Sequence, residues 1–430
     1  MNFWTLLLFL RYSLGNIILA CLIPFSTFLK KRRDFESLWS LERLTSLDFD
    51  AIFHVSSEGE LEQVLPWVEC KIYRKEKVLV LFTSPSLINR ATQLNDPSRG
   101  LSFAALGLLC FSPWSKKNVL SLKVPPEFFM VRYDFFPELI FIANKVVKKS
   151  GKSTLLAATL KGKRHFLENK FFRLILKSTY RAFKTIYTST ERDKVDLLKL
   201  MEGEDITIDS LDFRHGQILK RQSLKTNLFD QEIFRNFEIF IEEYPWNNRL
   251  IFGNLWSNEL LLFSEKFLRF IKDENLFVFL APHKLKGDDW GEITSFLKNF
   301  ERVGIETAIW KKDSLWKDLK DSQVILCQIP GLLCELYPYF AHCFVGGGHG
   351  RSVHSLLEPY WGGGHVYFGP KTHRSTEFDF VWDESPKQVH VVRELDKFYD
   401  KLKRNINVPV DRNLREQLAK KLLAKQERVL

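Results

Sequence analysis

FVGGGHGRSVHSLLEPYWGGGHVYFGP, residues 344–370, is the stretch that decides how this chain is read. Short apolar runs alternate with glycine clusters around one segment able to form a helix. Phe344-Val345 predicts the end of a buried strand. Gly346, Gly347 and Gly348 have no Cβ, so the backbone there can turn sharply and approach a ligand closely. Ser352 or Ser355 is placed to cap the following helix, with Leu356-Leu357-Glu358-Pro359 inside it or near its end. A strand, a glycine turn and a helix N-terminus together offer N–H groups to an anion, typically a phosphate. An ordinary βα turn of an α/β protein shows the same local pattern.

Outward from this stretch, strand and helix patterns alternate. Asn248–Asn254, Phe277–Lys284, Thr307–Trp310 and Val324–Cys327 read as strands on its N-terminal side, and Leu332–Phe340 as a helix leading into it. Further upstream, Phe49–Val55, Lys77–Phe82, Phe128–Tyr133 and Lys152–Leu160 read as strands of an earlier unit. Thr190, followed three residues on by Asp193, predicts a capped helix start after Tyr187-Thr188. The rhythm predicts two doubly wound parallel sheets with a cleft between them. The expected segments are an anchor with its basic flank over 1–33, a first α/β domain over 34–205, and an irregular connection over 206–246. A second α/β domain over 247–384 and C-terminal helices over 385–430 follow.

The 430 residues suit about two domains, and 45% hydrophobic residues suit a packed protein. A net charge of +11 fits acidic small substrates, anionic lipid or nucleic acid. No zinc-finger spacing, aromatic RNA-binding signature or long basic tail accompanies it, which sets nucleic acid aside. The cysteines Cys21, Cys70, Cys110, Cys327, Cys334 and Cys343 form no C-x-x-C pair and read as buried apolar residues in a reducing compartment. No metal is implied: no H-x-x-x-H occurs, and the D-x-D of Asp48 and Asp50 leads into a strand instead of following one.

Residues 3–29 are mostly apolar and long enough to cross a bilayer, which takes about 20 residues. Arg11, Asn16 and Pro24 interrupt the run, and a mid-span arginine is costly, so an in-plane or tilted anchor is an equal alternative. A secretory leader would carry its cations before the apolar run, whereas Lys30-Lys31-Arg32-Arg33 follow it. That cluster belongs on the cytoplasmic face and would attract anionic headgroups.

Several motifs, in this order, resemble those of the Kdo transferases of lipopolysaccharide assembly. These enzymes move 3-deoxy-D-manno-octulosonic acid (Kdo) from CMP-Kdo to lipid A precursors. Phe53-His54-Val55-Ser56-Ser57-Glu58-Gly59-Glu60 resembles F-H-A-x-S-x-G-E, and Val131–Pro137 resembles the family's acidic aromatic motif. Gly253–Glu259 resembles G-S-T-W-x-x-E, Pro282-His283-Lys284 a P-R/H turn, His354–Pro359 H-N-x-L-E-P, and Phe368-Gly369-Pro370 F-G-P. The similarity runs over most of the chain. Departures fall at Leu87, Asn254-Leu255 and Ser355, and around Asp209 and Arg214. They bear on the donor or acceptor sugar more than on the fold.

The resemblance implies a GT-B fold, two Rossmann-like domains facing a cleft behind an N-terminal apolar anchor helix, with 34–205 as the acceptor-side domain and 247–384 as the nucleotide-sugar-binding domain. It implies an inverting glycosyltransferase with no cofactor, a CMP-sugar donor and a lipid A precursor acceptor, at the cytoplasmic face of the bacterial inner membrane. Glu60 would be the base, with Glu58 or Asp134 as carboxylates able to tune it. Arg214, His283 and Lys284 would meet the donor phosphate, with amides of Gly346, Gly347 and Gly348. His354, Ser355 and Glu358 would complete the donor site, Glu358 on the ribose hydroxyls; Arg132, Lys161, Lys163 and Arg164 would meet acidic groups of the acceptor. A GT-B transferase using another nucleotide sugar or acceptor, or a non-catalytic membrane-bound relative, are the alternatives.

Overall fold

Strands such as VLVLF at Val78–Phe82 and FVFLAP at Phe277–Pro282 lack the polar alternation of a half-solvated sheet. Such runs suit parallel sheets covered on both faces, and the computed structural model shows two of them. It describes residues 3–107, 119–132, 135–224, 232–373 and 375–429. Cys110, Tyr133 and Asp134 lie outside these.

The chain forms two compact units, Met1–Arg214 with Lys425–Leu430, and His215–Ala424. The strands of unit 1 are β1 (Ala51–Val55), β2 (Val78–Phe82), β3 (Leu101–Ala105), β4 (Glu127–Val131), β5 (Lys152–Ala158), β6 (Thr185–Thr188) and β7 (Thr207–Ser210). They are all parallel, in the order β3-β2-β1-β4-β5-β6-β7. Ile52, Leu79, Leu81 and Met130 pack to one face, and Phe53, Val80, Phe82 and Val131 to the other, so each face carries its own core. The strand order reverses between β1 and β4, where open α/β sheets form ligand crevices at their carboxyl ends.

Unit 2 repeats the plan with β8 (Arg249–Leu255), β9 (Phe277–Pro282), β10 (Thr307–Trp310), β11 (Val324–Cys327), β12 (His342–Val345), β13 (His365–Phe368) and β14 (Val389–Val391). These parallel strands run β10-β11-β9-β8-β12-β13-β14. Its reversal point lies between β8 and β12. The glycine turn that begins at Gly346 therefore leaves β12 beside that point.

Two expectations are corrected. Residues 206–246 are not irregular: they hold β7 and the helices Arg214–Leu224 and Glu232–Glu242, so unit 1 continues past 205. The segment 385–430 is not all helix, because Val389–Val391 pairs with β13 before the helices Phe398–Asn405 and Arg412–Glu427. A three-residue strand is too short to show a period, and its position is set by the neighbouring strand. β3 had likewise gone unread. The five described cysteines are free; Cys327, Cys334 and Cys343 are buried, whereas Cys21 is exposed.

Residues Phe3–Phe25 form a helical run long and apolar enough to cross a membrane. Arg11 within it pairs with Glu138, which is fully buried. Of the basic flank, Lys30, Lys31 and Arg33 are exposed. Arg32 is buried and donates to the carbonyls of Thr83 and Leu106, so it is a structural residue of unit 1.

Candidate functional site

In unit 1, β1 ends at Val55 and the helix Glu58–Tyr73 begins at once, capped by Ser57, whose Oγ accepts the Glu60 N–H at 3.3 Å. Glu60 folds back so that its Oε2 accepts the Ser56 N–H at 2.7 Å. The residue is only 6% exposed, so it is not a surface carboxylate at a helix start. Arg132, leaving the adjacent strand β4, brings its Nε to 3.9 Å from Glu60 Oε1. Arg132 adopts φ +60°, a conformation that side chains other than glycine rarely take and that tends to mark functional positions. The structure thus joins Glu60 to Arg132, a residue expected on the acceptor instead.

The other expected cations of unit 1 are engaged elsewhere. Arg164 pairs with the buried Asp193 and with Asp196, both at 2.7 Å, which makes it a structural tie to the helix Glu191–Leu200. Thr190 caps that helix by accepting the Asp193 N–H at 3.1 Å, as the spacing predicts. Lys161 and Lys163 lie on the turn after β5, with Lys163 Nζ 5.7 Å from the centre of the Phe135 ring. The Arg214 Nε reaches both oxygens of Asp212 at 3.0 Å. Asp209, expected near it, is held by Lys194 and Lys425 at 2.9 and 2.8 Å. Burial opposes ionisation of Asp209, but these lysine contacts outweigh it and draw its pKa down to about 2.

In unit 2 several residues expected on the donor lie at the carboxyl ends of β8, β9 and β12. Gly347 has φ +90°, and a Cβ there would stand 2.6 Å from the Ser352 carbonyl. A Cβ on Gly346 would collide with the Asn254 carbonyl, and one on Gly348 with Gly369. The glycines therefore serve close backbone packing. Glu259, fully buried, accepts the Gly347 N–H at 2.9 Å and the Trp256 N–H at 3.2 Å. The amide expected to hold an anion already holds a protein carboxylate.

The helix after the turn is similar. It spans only Leu357–Trp361 and is capped by neither Ser352 nor Ser355. Glu377 accepts the N–H groups of Leu356 and Leu357 at 2.6 and 3.2 Å. Gly348 and His349 keep backbone amides with no protein acceptor among the described residues. Ser355 is half-buried on the approach to this helix.

An aromatic stack lies beside the turn. The Trp256 and His283 rings stack at 4.3 Å, and His283 and His354 at 4.4 Å. Trp256 Nε1 donates to His354 Nε2 at 3.3 Å. Burial, then Lys284, holds His283 below the ordinary histidine value, while burial, then His283, does so for His354. Both shifts favour the neutral ring, in which one nitrogen of His283 can donate a hydrogen bond to a phosphate oxygen. Lys284 is paired with Asp289 at 2.7 Å and lies 5.0 Å over the Trp256 ring.

Glu358 sits apart, in a cluster where Arg221 forks onto Glu335 with two contacts of 2.9 Å. Burial pushes its pKa up to about 7; Arg221 opposes this, and Glu377 and Glu335 add to it. Such a carboxyl can accept or donate a hydrogen bond to a hydroxyl. A cavity of about 170 Å³ opens nearby, lined by Asn254, His283, Cys327, Ile329 and Leu333 among others. Among the described residues, no group of three or more His, Cys, Asp or Glu is placed to hold a metal.

Glu259 closes the Gly253–Glu259 motif, which by itself assigns it no role, and Glu377 falls in none of the motifs. The spacing of Glu259 three residues after Trp256 was the available signal. Nothing local marks Glu377, which acts across 20 residues of chain.

No family model and no curated protein matches the chain. Solved structures do. UDP-GlcNAc 2-epimerase from Methanocaldococcus jannaschii is 12% identical over 82% of this chain and 91% of its own, with a TM-score of 0.50. The C-terminal CMP-Kdo binding domain of WaaA from Acinetobacter baumannii is 15% identical over 46% of this chain and 96% of its own, with a TM-score of 0.32. An α,α-trehalose-phosphate synthase from Burkholderia xenovorans is 10% identical over 88% of this chain and 95% of its own, at 0.45. At these identities the likeness concerns the fold: two Rossmann-like units, each built on a seven-stranded parallel sheet.

Proposed function

We propose that the chain is an inverting glycosyltransferase of GT-B type that takes a nucleotide sugar, and that the donor is CMP-Kdo and the acceptor a lipid A precursor. One observation supports this reading most. The motifs that resemble the Kdo transferases fall at the carboxyl ends of strands around the two reversal points. Ser56–Glu60 follows β1, Arg132 follows β4, Trp256–Glu259 follows β8, His283-Lys284 follows β9, and Gly346–Glu358 follows β12. Such ends are where open parallel sheets bind nucleotides.

On this reading unit 2 holds CMP-Kdo. The amides of Gly348 and His349, with His283 and Lys284, meet the phosphate, and Glu358 meets the ribose hydroxyls. An acceptor oxygen attacks the anomeric carbon, the bond from that carbon to the phosphate oxygen breaks, and CMP leaves with the electron pair. Glu60 takes the acceptor proton, and Arg132 holds the Glu60 carboxylate in place. The protein acts at the cytoplasmic face of the bacterial inner membrane.

The test is Kdo transfer from freshly generated CMP-Kdo to a lipid A precursor, with wild type and Glu60→Gln compared. Turnover should fall at least about a hundredfold in the variant while CMP binding is kept. Equal turnover removes Glu60 from the mechanism. CMP binding without Kdo transfer in the wild type points to another sugar or acceptor, and binding of UDP in place of CMP to a diphosphate donor of the kind named for the epimerase. No nucleotide binding at all favours a non-catalytic membrane protein.

A further inference from the structure

We propose that the N-terminal segment lies in the plane of one leaflet of an anionic bilayer, with the helix Lys170–Tyr180 as a second contact, and does not cross the membrane. This stands whether or not the chain transfers a sugar. The segment is long enough to span, but one stripe of it is built into unit 1. Trp4, Leu8, Tyr12 and Asn16 recur every fourth residue and are 8%, 3%, 3% and 1% exposed. That spacing is one face of a helix. Trp4 Nε1 donates to Thr179 Oγ1 at 3.1 Å, and Tyr12 OH donates to Glu138 Oε1 at 3.3 Å. Arg11 pairs with the same carboxylate and donates to the Gly107 carbonyl at 3.3 Å.

A crossing helix would have to give up these contacts. It would strand Glu138 as a buried carboxylate without its cation and place Arg11 in hydrocarbon. Each change is strongly unfavourable. Kept in place, the segment shows its other face outward: Phe9, Leu14, Ile17, Ile18 and Phe25 are 59%, 60%, 63%, 59% and 88% exposed. That is the pattern of a helix lying in an interface.

The second contact follows from the Trp4–Thr179 bond, which sets the first helical turns against the end of Lys170–Tyr180. At the start of that helix Phe171, Phe172 and Leu174 are 63%, 42% and 67% exposed, beside the exposed cations Lys170 and Arg173. Exposed Lys30, Lys31 and Arg33 flank the other end of the anchor. Apolar side chains rimmed by lysine and arginine fit anionic headgroups above acyl chains. A soluble protein partner would not need cations at both ends of a lipid-like face.

The full chain, diluted from detergent onto sealed vesicles of phosphatidylcholine with about a third phosphatidylglycerol, provides the test. A fluorophore on Leu14→Cys, in a Cys21→Ser background, reports depth through lipids quenching at shallow or deep positions. Stronger quenching by the shallow label is expected, and dominant quenching by the deep label overturns the in-plane placement. Phe171→Asp with Phe172→Asp and Leu174→Asp should weaken flotation with these vesicles at least about tenfold, the circular dichroism being unchanged. Unchanged flotation overturns the second contact. Equal flotation of the wild type with pure phosphatidylcholine overturns the requirement for an anionic surface.

Discussion

Replacing Glu259 by alanine should loosen the glycine turn of unit 2 without disturbing unit 1. The fully buried carboxylate accepts two backbone amides, from Gly347 at 2.9 Å and Trp256 at 3.2 Å. Alanine leaves both donors without an acceptor, Gly347 buried and Trp256 half-buried, and such a loss costs about 1–3 kcal/mol for a buried donor. Allowing for entry of a water, a net loss of about 2 kcal/mol is expected for the local structure. A loss of that size corresponds to roughly thirtyfold faster opening-limited hydrogen exchange. The assay is hydrogen–deuterium exchange read by mass spectrometry on peptides covering 344–357 and, as an internal control, those covering β1 and β4. Glu259→Gln keeps one acceptor oxygen and should fall between wild type and alanine. Exchange of the 344–357 peptides in Glu259→Ala within about threefold of wild type would refute the view that this carboxylate pins the turn.

Two further outcomes follow from the packing. Gly347→Ala forces a Cβ at φ +90° against the Ser352 carbonyl, so a loss of about 2 kcal/mol or more and weaker CMP binding are expected; wild-type urea unfolding and wild-type binding would contradict it. Acid should destabilise both units: burial lowers His54 in unit 1 and His342 in unit 2 to about 3. A histidine whose folded pKa is depressed gives full stability above the unfolded value near 6.5 and loses it as pH falls toward 3. Between pH 6.5 and 5 each should cost about 2 kcal/mol. His54→Gln should flatten that slope for unit 1; an unchanged slope in urea titrations at several pH values would count against it.

The strands that build both sheets were mostly legible, because a strand covered on both faces must be a continuous apolar run, as in β2 and β9. The Thr190 cap was legible because its donor lies three residues away. β3, β7 and β14 were not read. None is a continuous run of large apolar residues, and what makes each a strand is a neighbour distant in sequence, as Val389 is paired with Val366. Cation roles were the least legible part. Arg164, Arg214 and Lys284 are expected to meet ligands, and nothing local shows that each also stands against a carboxylate, of Asp193, Asp212 and Asp289.

Fold class, motif order and the apolar character of the N-terminal run are legible in the residues alone. Periodicity, glycine placement and local spacing are properties of neighbouring residues, and they survive without knowing what touches what. Which charges are already satisfied emerges only once the chain is packed. Glu259 holds the Gly347 amide, Glu377 holds those of Leu356 and Leu357, and Glu138 holds Arg11 of the apolar N-terminal run. A buried charge needs a partner within hydrogen-bonding distance, and which residue stands at that distance is settled by how the chain packs.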